Sequence, residues 1–340
     1  GEVYVGGICD ASASLSRADL EVSILKLDGS SFAEVYSHSL DFIRGGQNYP
    51  DPVPNYTDSQ VSLHWNPWRD AWADDLTAAM GANQPSGSVT PIYPMPLLTS
   101  FAFENDGSLV LDFRDRKTDA LVANGYAPDG VTLLRGHVAG GDLNKVCLTG
   151  DVYEWEGTGA CPNNATAANS AQPEGRVEFF PGEFMTGQPR YGSTVAHTEN
   201  ALGAALLSPR ETDLISTTMN PTQLYNSAGL GWYDREAGTG PGNDWEANAL
   251  LVAGNSTAGN FGKGSGLGGV SLLASPAPIQ IGNYVWFDED HDGEQDADEV
   301  PVAGVTVNIY AADGATLLGT TTTNENGEYY FGGEGGLALE

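Results

Sequence analysis

Residues 281–331 read IGNYVWFDEDHDGEQDADEVPVAGVTVNIYAADGATLLGTTTTNENGEYYF, strand-like segments set around a crowded acidic loop. NYVWF (283–287) and VAGVTVNIY (302–310) carry the aromatic and β-branched residues that suit a pleated sheet. Between them, DEDHDGEQDADE (288–299) places Asp288, Asp290 and Asp292 at positions 1, 3 and 5. Gly293 stands at 6, Glu294 at 7, Asp296 at 9 and Glu299 at 12. That is the twelve-residue spacing of an EF-hand type oxygen cage. Alternate carboxylates converge on a hard cation, glycine permits the sharp bend, Glu294 offers its backbone carbonyl, and Glu299 closes the site with two oxygens. The expected ligands of a Ca²⁺ ion are therefore Asp288, Asp290, Asp292, Glu294, Asp296 and Glu299. His291, at position 4, points away. The competing reading is an acidic, solvated turn. Because the flanks are strands, the metal's expected role is structural rather than sensory.

Two further turn signals, Asp313-Gly314 and Asn326-Gly327, sit inside the same run, where glycine supplies the positive φ of a hairpin. Together with the V-W pair, the D-G-E-Q-D core, A-G-V-T-V and T-T-T-x-x-x-G-x-Y-x-F, they closely resemble the B-type repeat of serine–aspartate-repeat (Sdr) surface adhesins. The resemblance implies an immunoglobulin-like β-sandwich, related to collagen-adhesin B domains, that uses calcium for rigidity. It departs from the family after Phe331, where GGEGGLALE replaces a further strand. The sandwich is therefore expected to be truncated, with an open β edge that either pairs with another chain or stays disordered. No lysine follows Lys263, so the Lys–Asn isopeptide bond of many collagen-adhesin B domains is not expected here.

Upstream, alternating apolar and polar residues recur around Asp28-Gly29, Asp106-Gly107 and Asp129-Gly130, each expected to be a hairpin. ALGAALLSPRETDLISTTMNP followed by AGLGWYD reads the same way, and only RDAWADDLTAAM (69–80) is helix-like. Antiparallel sheets joined by long Gly-, Pro- and Asn-rich loops suggest an all-β propeller or large sandwich. VYVGGIC, WNPW (65–68), YPMPLLTSFAF and DFRDR (112–116) are similar to a propeller-like region that precedes such repeats in large secreted bacterial proteins. The expected organisation is a β-propeller-like domain over 1–276, incomplete at its N-terminus, a partial calcium-binding β-sandwich over 277–333, and an appended tail over 334–340.

Lys and Arg total 14 against 45 Asp and Glu, a formal net charge of −31. Such a chain repels phosphate backbones and anionic membranes, and its four lysines are scattered. Nucleic acid is not an expected partner. No apolar run is long enough to span a bilayer. Thirteen acidic residues and no basic one fall between Ile281 and Glu340, a local enrichment that argues against saline adaptation of the whole surface. Gly1-Glu2-Val3-Tyr4 has neither the basic nor the apolar part of a secretory signal, so a mature, trimmed or excised chain is expected. Cys147 and Cys161 could close a disulfide or remain two buried thiols; the extracellular resemblance favours the bond and leaves Cys9 over.

No H-E-x-x-H, G-x-S-x-G or phosphate-loop motif occurs, and the five histidines are widely separated. No enzyme is expected. The rival function is a carbohydrate-active propeller enzyme, for which 45 acidic residues could hide the required pair of carboxylates. Trp65, Trp68 and Trp72 could stack on a ligand, although packing between sheets is the favoured reading. Arg114-Asp115-Arg116 could bind an anion, although a surface ion-pair strip is favoured. The leading expectation is a secreted or cell-surface structural or adhesive protein. Its partners would be an extracellular protein or glycan, or neighbouring copies in an assembly.

Overall fold

The computed structural model describes residues 2–44, 61, 63–69, 88–89, 93–119, 126, 129–131, 133–134, 140–164, 176–181, 183–186, 195–207, 213–222, 227–241, 244–254, 267–272, 280–291, 293, 295–296, 299–311 and 314–332. The chain divides into two compact units, Gly1–Leu272 and Leu273–Glu340. Both are built from β-strands. The expected helix over 69–80 lies almost wholly outside the described residues.

The first unit opens with β1 (Tyr4–Cys9), β2 (Glu21–Asp28) and β3 (Ser31–Ser39) in one antiparallel sheet. Asp28-Gly29 makes the predicted hairpin, with Gly29 at φ 61° and Asp28 opposite Ser31. Then come β4 (Ser88–Val89), β5 (Pro96–Phe103), β6 (Leu109–Asp115), β7 (Leu133–Leu134), β8 (Asp142–Thr149) and β9 (Val152–Trp155). Strands β5, β6, β8 and β9 form an antiparallel meander, and Asp106-Gly107 turns β5 into β6. Asp129-Gly130 is different. It bends the chain, with Gly130 at φ 69°, and among the described residues the nearby β7 pairs in parallel with β4. The unit continues with β10 (Phe184–Thr186) beside β11 (Val195–Thr198). A second meander follows, of β12 (Leu206–Leu207), β13 (Asp213–Met219), β14 (Ala228–Asp234) and β15 (Ala249–Ala253). One helical turn, α1 (Trp245–Asn248), precedes β15 and is capped by Asp244.

Strand β6 explains how the sheets stack. Leu109, Leu111 and Phe113 point into one core with Val22, Ile24, Tyr36, Trp65 and Trp155. Val110 points the other way, into a core with Leu143, Phe179, Phe180, Leu214 and Tyr233. Every residue of β6 is buried, because both of its faces are covered. Each such apolar side chain contributes roughly 1.5–3 kcal/mol of transfer free energy. The β1–β3 sheet and the second meander therefore cover opposite faces of the first. At the nearest approach of β1 to β5, Gly6 leaves no room for a side chain: a Cβ would meet the methyl of Leu98 and the ring of Phe101.

Neighbouring propeller blades pack face to face in this way. Among the described residues, however, the sheets close into no ring. The described residues show three sheets stacked through two shared cores, an all-β architecture without propeller closure.

The second unit contains β16 (Gln280–Tyr284) paired with β19 (Glu328–Gly332), and β17 (Thr306–Tyr310) paired with β18 (Leu317–Thr322). Gly314 turns β17 into β18 at φ 68°. Asn326-Gly327 is a turn but not a ladder hairpin, since β18 and β19 belong to different sheets. Asn324 organises it, accepting the backbone N–H groups of Asn326 and Glu328. Among the described residues of this unit Phe331 and Thr323 have buried side chains, and Thr323 Oγ1 donates to the Val302 carbonyl at 2.7 Å while accepting Val305 N–H at 2.9 Å.

Candidate metal centre

The acidic loop hangs from a narrow ladder. Val302 N–H donates to the Val285 carbonyl at 2.9 Å, Phe287 N–H donates to the Val300 carbonyl at 3.0 Å, and Trp286 bridges Pro301. These bonds bring positions 1 and 12 together. Asp288 Oδ1 accepts His291 N–H at 2.7 Å and its Oδ2 accepts Gly293 N–H at 3.0 Å. The turn between them needs left-handed backbone, with His291 at φ 65° and Gly293 at φ 81°. From the far end, Glu299 Oε1 accepts Glu289 N–H at 2.9 Å and Oε2 accepts Asp296 N–H at 3.0 Å.

Asp288, Asp290 and Glu299 thereby each place an oxygen within 4.8 Å of the others. Asp296 contributes its backbone to the loop, but its carboxylate is not in this trio. Asp292 and Glu294 lie outside the described residues. An all-oxygen donor set on an exposed loop suits a hard cation such as calcium, which tolerates irregular geometry and keeps some water ligands. His291 directs Nδ1 to the Glu289 carbonyl, 3.2 Å away, in keeping with an idle position 4.

The other residues singled out by sequence have structural roles. Trp65 is fully buried, with the Arg44 guanidinium 3.8 Å from its ring centre. Trp68 is half-buried and donates Nε1–H to the Pro96 carbonyl at 2.7 Å. Trp72 lies outside the described residues. Arg114-Asp115-Arg116 is not a surface strip: the end of β6 buries Arg114 and Asp115, and Arg116, just past the strand, is half-buried. Arg114 is buried and donates to the Leu202 carbonyl, and Asp115 accepts Met95 and Lys117 N–H groups at 3.0 Å. Arg116 stacks on Trp68 at 4.4 Å. Cys147 and Cys161 are bonded, and Cys9 is a free, exposed cysteine.

Sequence reasoning missed a second acidic cluster. Asp142, Glu178 and Glu199 are buried, with one oxygen from each within 4.8 Å of the others. Glu156 and Glu183 are buried beside them. Burial, which penalises the charged form, raises Asp142 to about 6 and Glu199 to about 8. Glu156, Glu178 and Glu183 are pushed up strongly for the same reason, with neighbouring carboxylates adding to it. Arg44 opposes the rise at Asp142 and Glu199, and Arg176 also opposes it at Glu199. The three residues are 36 and 21 positions apart, with no motif spacing; the one available signal is an acid set among apolar and glycine neighbours, as in RVEFFPGEF. A glycosidase needs two carboxylates facing an open cleft. These are closed off from solvent; a separate polar cleft of about 560 Å³ beside Arg17, Asn66 and Arg69 has one acid, Asp41, among the described residues that line it.

Residues 279–335 match the SdrD B-like domain. Over 97% of its length the chain is 25% identical to colossin-B and 24% identical to colossin-A of Dictyostelium discoideum, spanning 8% and 3% of those proteins. It is 26% identical to serine-aspartate repeat-containing protein C of Staphylococcus aureus across 56% of this chain and 22% of that protein. A fibrinogen-binding protein of Staphylococcus epidermidis is 35% identical across 28% of this chain and 8% of its own length. No solved structure matches. The acidic loop therefore falls within a segment similar to the SdrD B-like domain, in a chain similar along nearly all its length to segments of much longer proteins.

Proposed function

We propose that this chain is a non-enzymatic structural or adhesive segment of an extracellular or cell-surface protein, in which a calcium ion stiffens an immunoglobulin-like domain at 277–333. The observation that carries the reading is the convergence of Asp288, Asp290 and Glu299 from opposite ends of one loop. Asp292, Glu294 and Asp296 complete the ligand set. Among its described residues the second unit buries few side chains, so a large core is not the source of its rigidity there. A cation that binds only the folded loop supplies it by mass action, about 2.7 kcal/mol at a hundredfold excess over Kd. The similarity to Sdr proteins and colossins supports an extracellular setting. The partner is an extracellular protein or glycan, or a neighbouring copy; the name of the staphylococcal fibrinogen-binding relative favours a protein.

Calorimetry and limited proteolysis of the full chain, with calcium and with chelator, test this. Calcium is expected to raise the unfolding temperature of the second unit by on the order of 10 °C and to slow cleavage in the loop. The D288N/E299Q variant should lose both effects. A loop whose cleavage and unfolding are indifferent to calcium would refute the reading.

A further inference from the structure

Three buried carboxylates of the first unit converge on one point. Asp142 comes from the start of β8, Glu178 from the segment between β9 and β10, and Glu199 from the residue after β11, so three separate stretches of chain deliver oxygens to one point. Each ligand is anchored from behind. Asp142 accepts Arg44 Nε–H at 3.2 Å and Asn144 Nδ2–H at 3.3 Å; Glu178 Oε1 accepts Phe180 N–H at 3.1 Å. Glu199 Oε2 lies 3.7 Å from the second guanidinium nitrogen of Arg44 and has no hydrogen bond.

A fourth buried carboxylate lies near these three, outside the converging trio itself. Glu183, 3% exposed, uses Oε2 to accept Leu143 N–H at 3.1 Å, while its Oε1 is buried and has no hydrogen-bond partner. After burial itself, the charges that act on it most are those of Asp142 and Glu199. Glu156 is by contrast satisfied, its two oxygens accepting Asn144 Nδ2–H and Lys145 N–H at 2.7 Å each. A buried carboxylate oxygen without a partner is expensive, and structures rarely keep one unless something occupies the space before it.

Five buried carboxyls, Asp142, Glu156, Glu178, Glu183 and Glu199, lie beside two buried guanidiniums, Arg44 and Arg176, so acid outnumbers base and a bound cation offsets the excess. All donors are oxygens, and the ligands come from irregular segments rather than one preset loop. That combination favours calcium over magnesium, which demands a near-ideal octahedron and retains its water. We infer that Asp142, Glu178 and Glu199, with Glu183 alongside, bind a structural calcium ion in the interior of the first unit and pin the Arg176–Pro181 and Glu199–Ala201 segments to the start of β8.

The test uses the full chain carrying D288N/E299Q, which removes the loop site and separates this question from the preceding one. The protein is refolded with excess calcium and desalted, its metal content is measured, and terbium luminescence is excited through tryptophan, Trp65 being stacked on Arg44. One equivalent of calcium per chain, a tryptophan-sensitised terbium signal, and a fall in the unfolding temperature of the first unit on chelation are expected. Adding E178Q/E199Q should abolish the bound equivalent. A folded D288N/E299Q protein that holds no calcium and does not respond to chelator overturns the inference. So does an equivalent that survives E178Q/E199Q. Should the latter variant fail to fold, the metal content of D288N/E299Q alone decides.

Discussion

Arg44 and Asp142, 98 residues apart, form an ion pair from which water is excluded, with side chains 0% and 2% exposed and Nε 3.2 Å from Oδ2. The same guanidinium donates to the Gly141 carbonyl at 2.5 Å and lies on Trp65. It thus ties the end of the first sheet to the edge of the next. Removing one member of a buried pair leaves an uncompensated charge, typically at a cost of about 3–5 kcal/mol. Arg44→Met is expected to lower the urea midpoint of the first unit by that equivalent. A midpoint within experimental error of wild type would show that Asp142 finds its countercharge elsewhere.

Asp112 makes the stability of the first unit depend on pH. It is fully buried, and desolvation raises it to about 7, despite hydrogen bonds from Ser216 Oγ–H and Ala204 N–H to Oδ2 and the nearby charge of Arg114. Asp142 adds to the rise. The folded state therefore holds this proton more tightly than the unfolded chain, whose ordinary value is 3.8. The associated stability is complete below pH 4 and is lost as pH climbs through 7. A carboxyl carried from 3.8 to about 7 by folding sets an upper scale of about 4 kcal/mol. Asp112→Asn, which cannot ionise, should flatten the decline in chemical-denaturation stability between pH 5 and 8; an unchanged slope would assign the dependence to other carboxyls.

The Cys147–Cys161 bond closes a loop with a separation of 14 residues. A loop of that length restricts the unfolded chain by about 3 kcal/mol. C147A/C161A and reduced wild type should show the same loss in denaturant titrations, and equal stability with and without reductant would mean the bond does not form in solution.

Gly293 offers a clean test of backbone conformation in the acidic loop. Its φ is 81°, and an added Cβ would meet nothing within 4 Å. Gly293→Ala therefore acts through strain alone, on the order of 1 kcal/mol. Calcium affinity measured by calorimetry should fall roughly fivefold, with the other ligands untouched. No change would show that the loop adopts this turn without the metal's help.

The sequence is informative wherever chemistry is local. The alternation around Asp28-Gly29 and Asp106-Gly107 specifies hairpins because turn type and strand pairing depend on a few adjacent residues. The twelve-residue loop is legible for the same reason, and Asp288, Asp290 and Glu299 do converge. Asn326-Gly327 shows the limit: the turn is local and legible, but the partner of each strand is not, and β18 and β19 pair elsewhere. Arg114-Asp115-Arg116 reads as surface because charge usually lies there. Only the covering of β6 on both faces buries Arg114 and Asp115.

Composition and spacing by themselves determined an acidic all-β chain with one acidic loop, since strand periodicity and turn geometry are properties of neighbours. The stacking of three sheets, and the meeting of Arg44 with Asp142, Glu178 and Glu199, were decided by tertiary structure alone. Those contacts join segments tens of residues apart, and the burial that gives the acids their unusual electrostatics exists only once the sheets close over them.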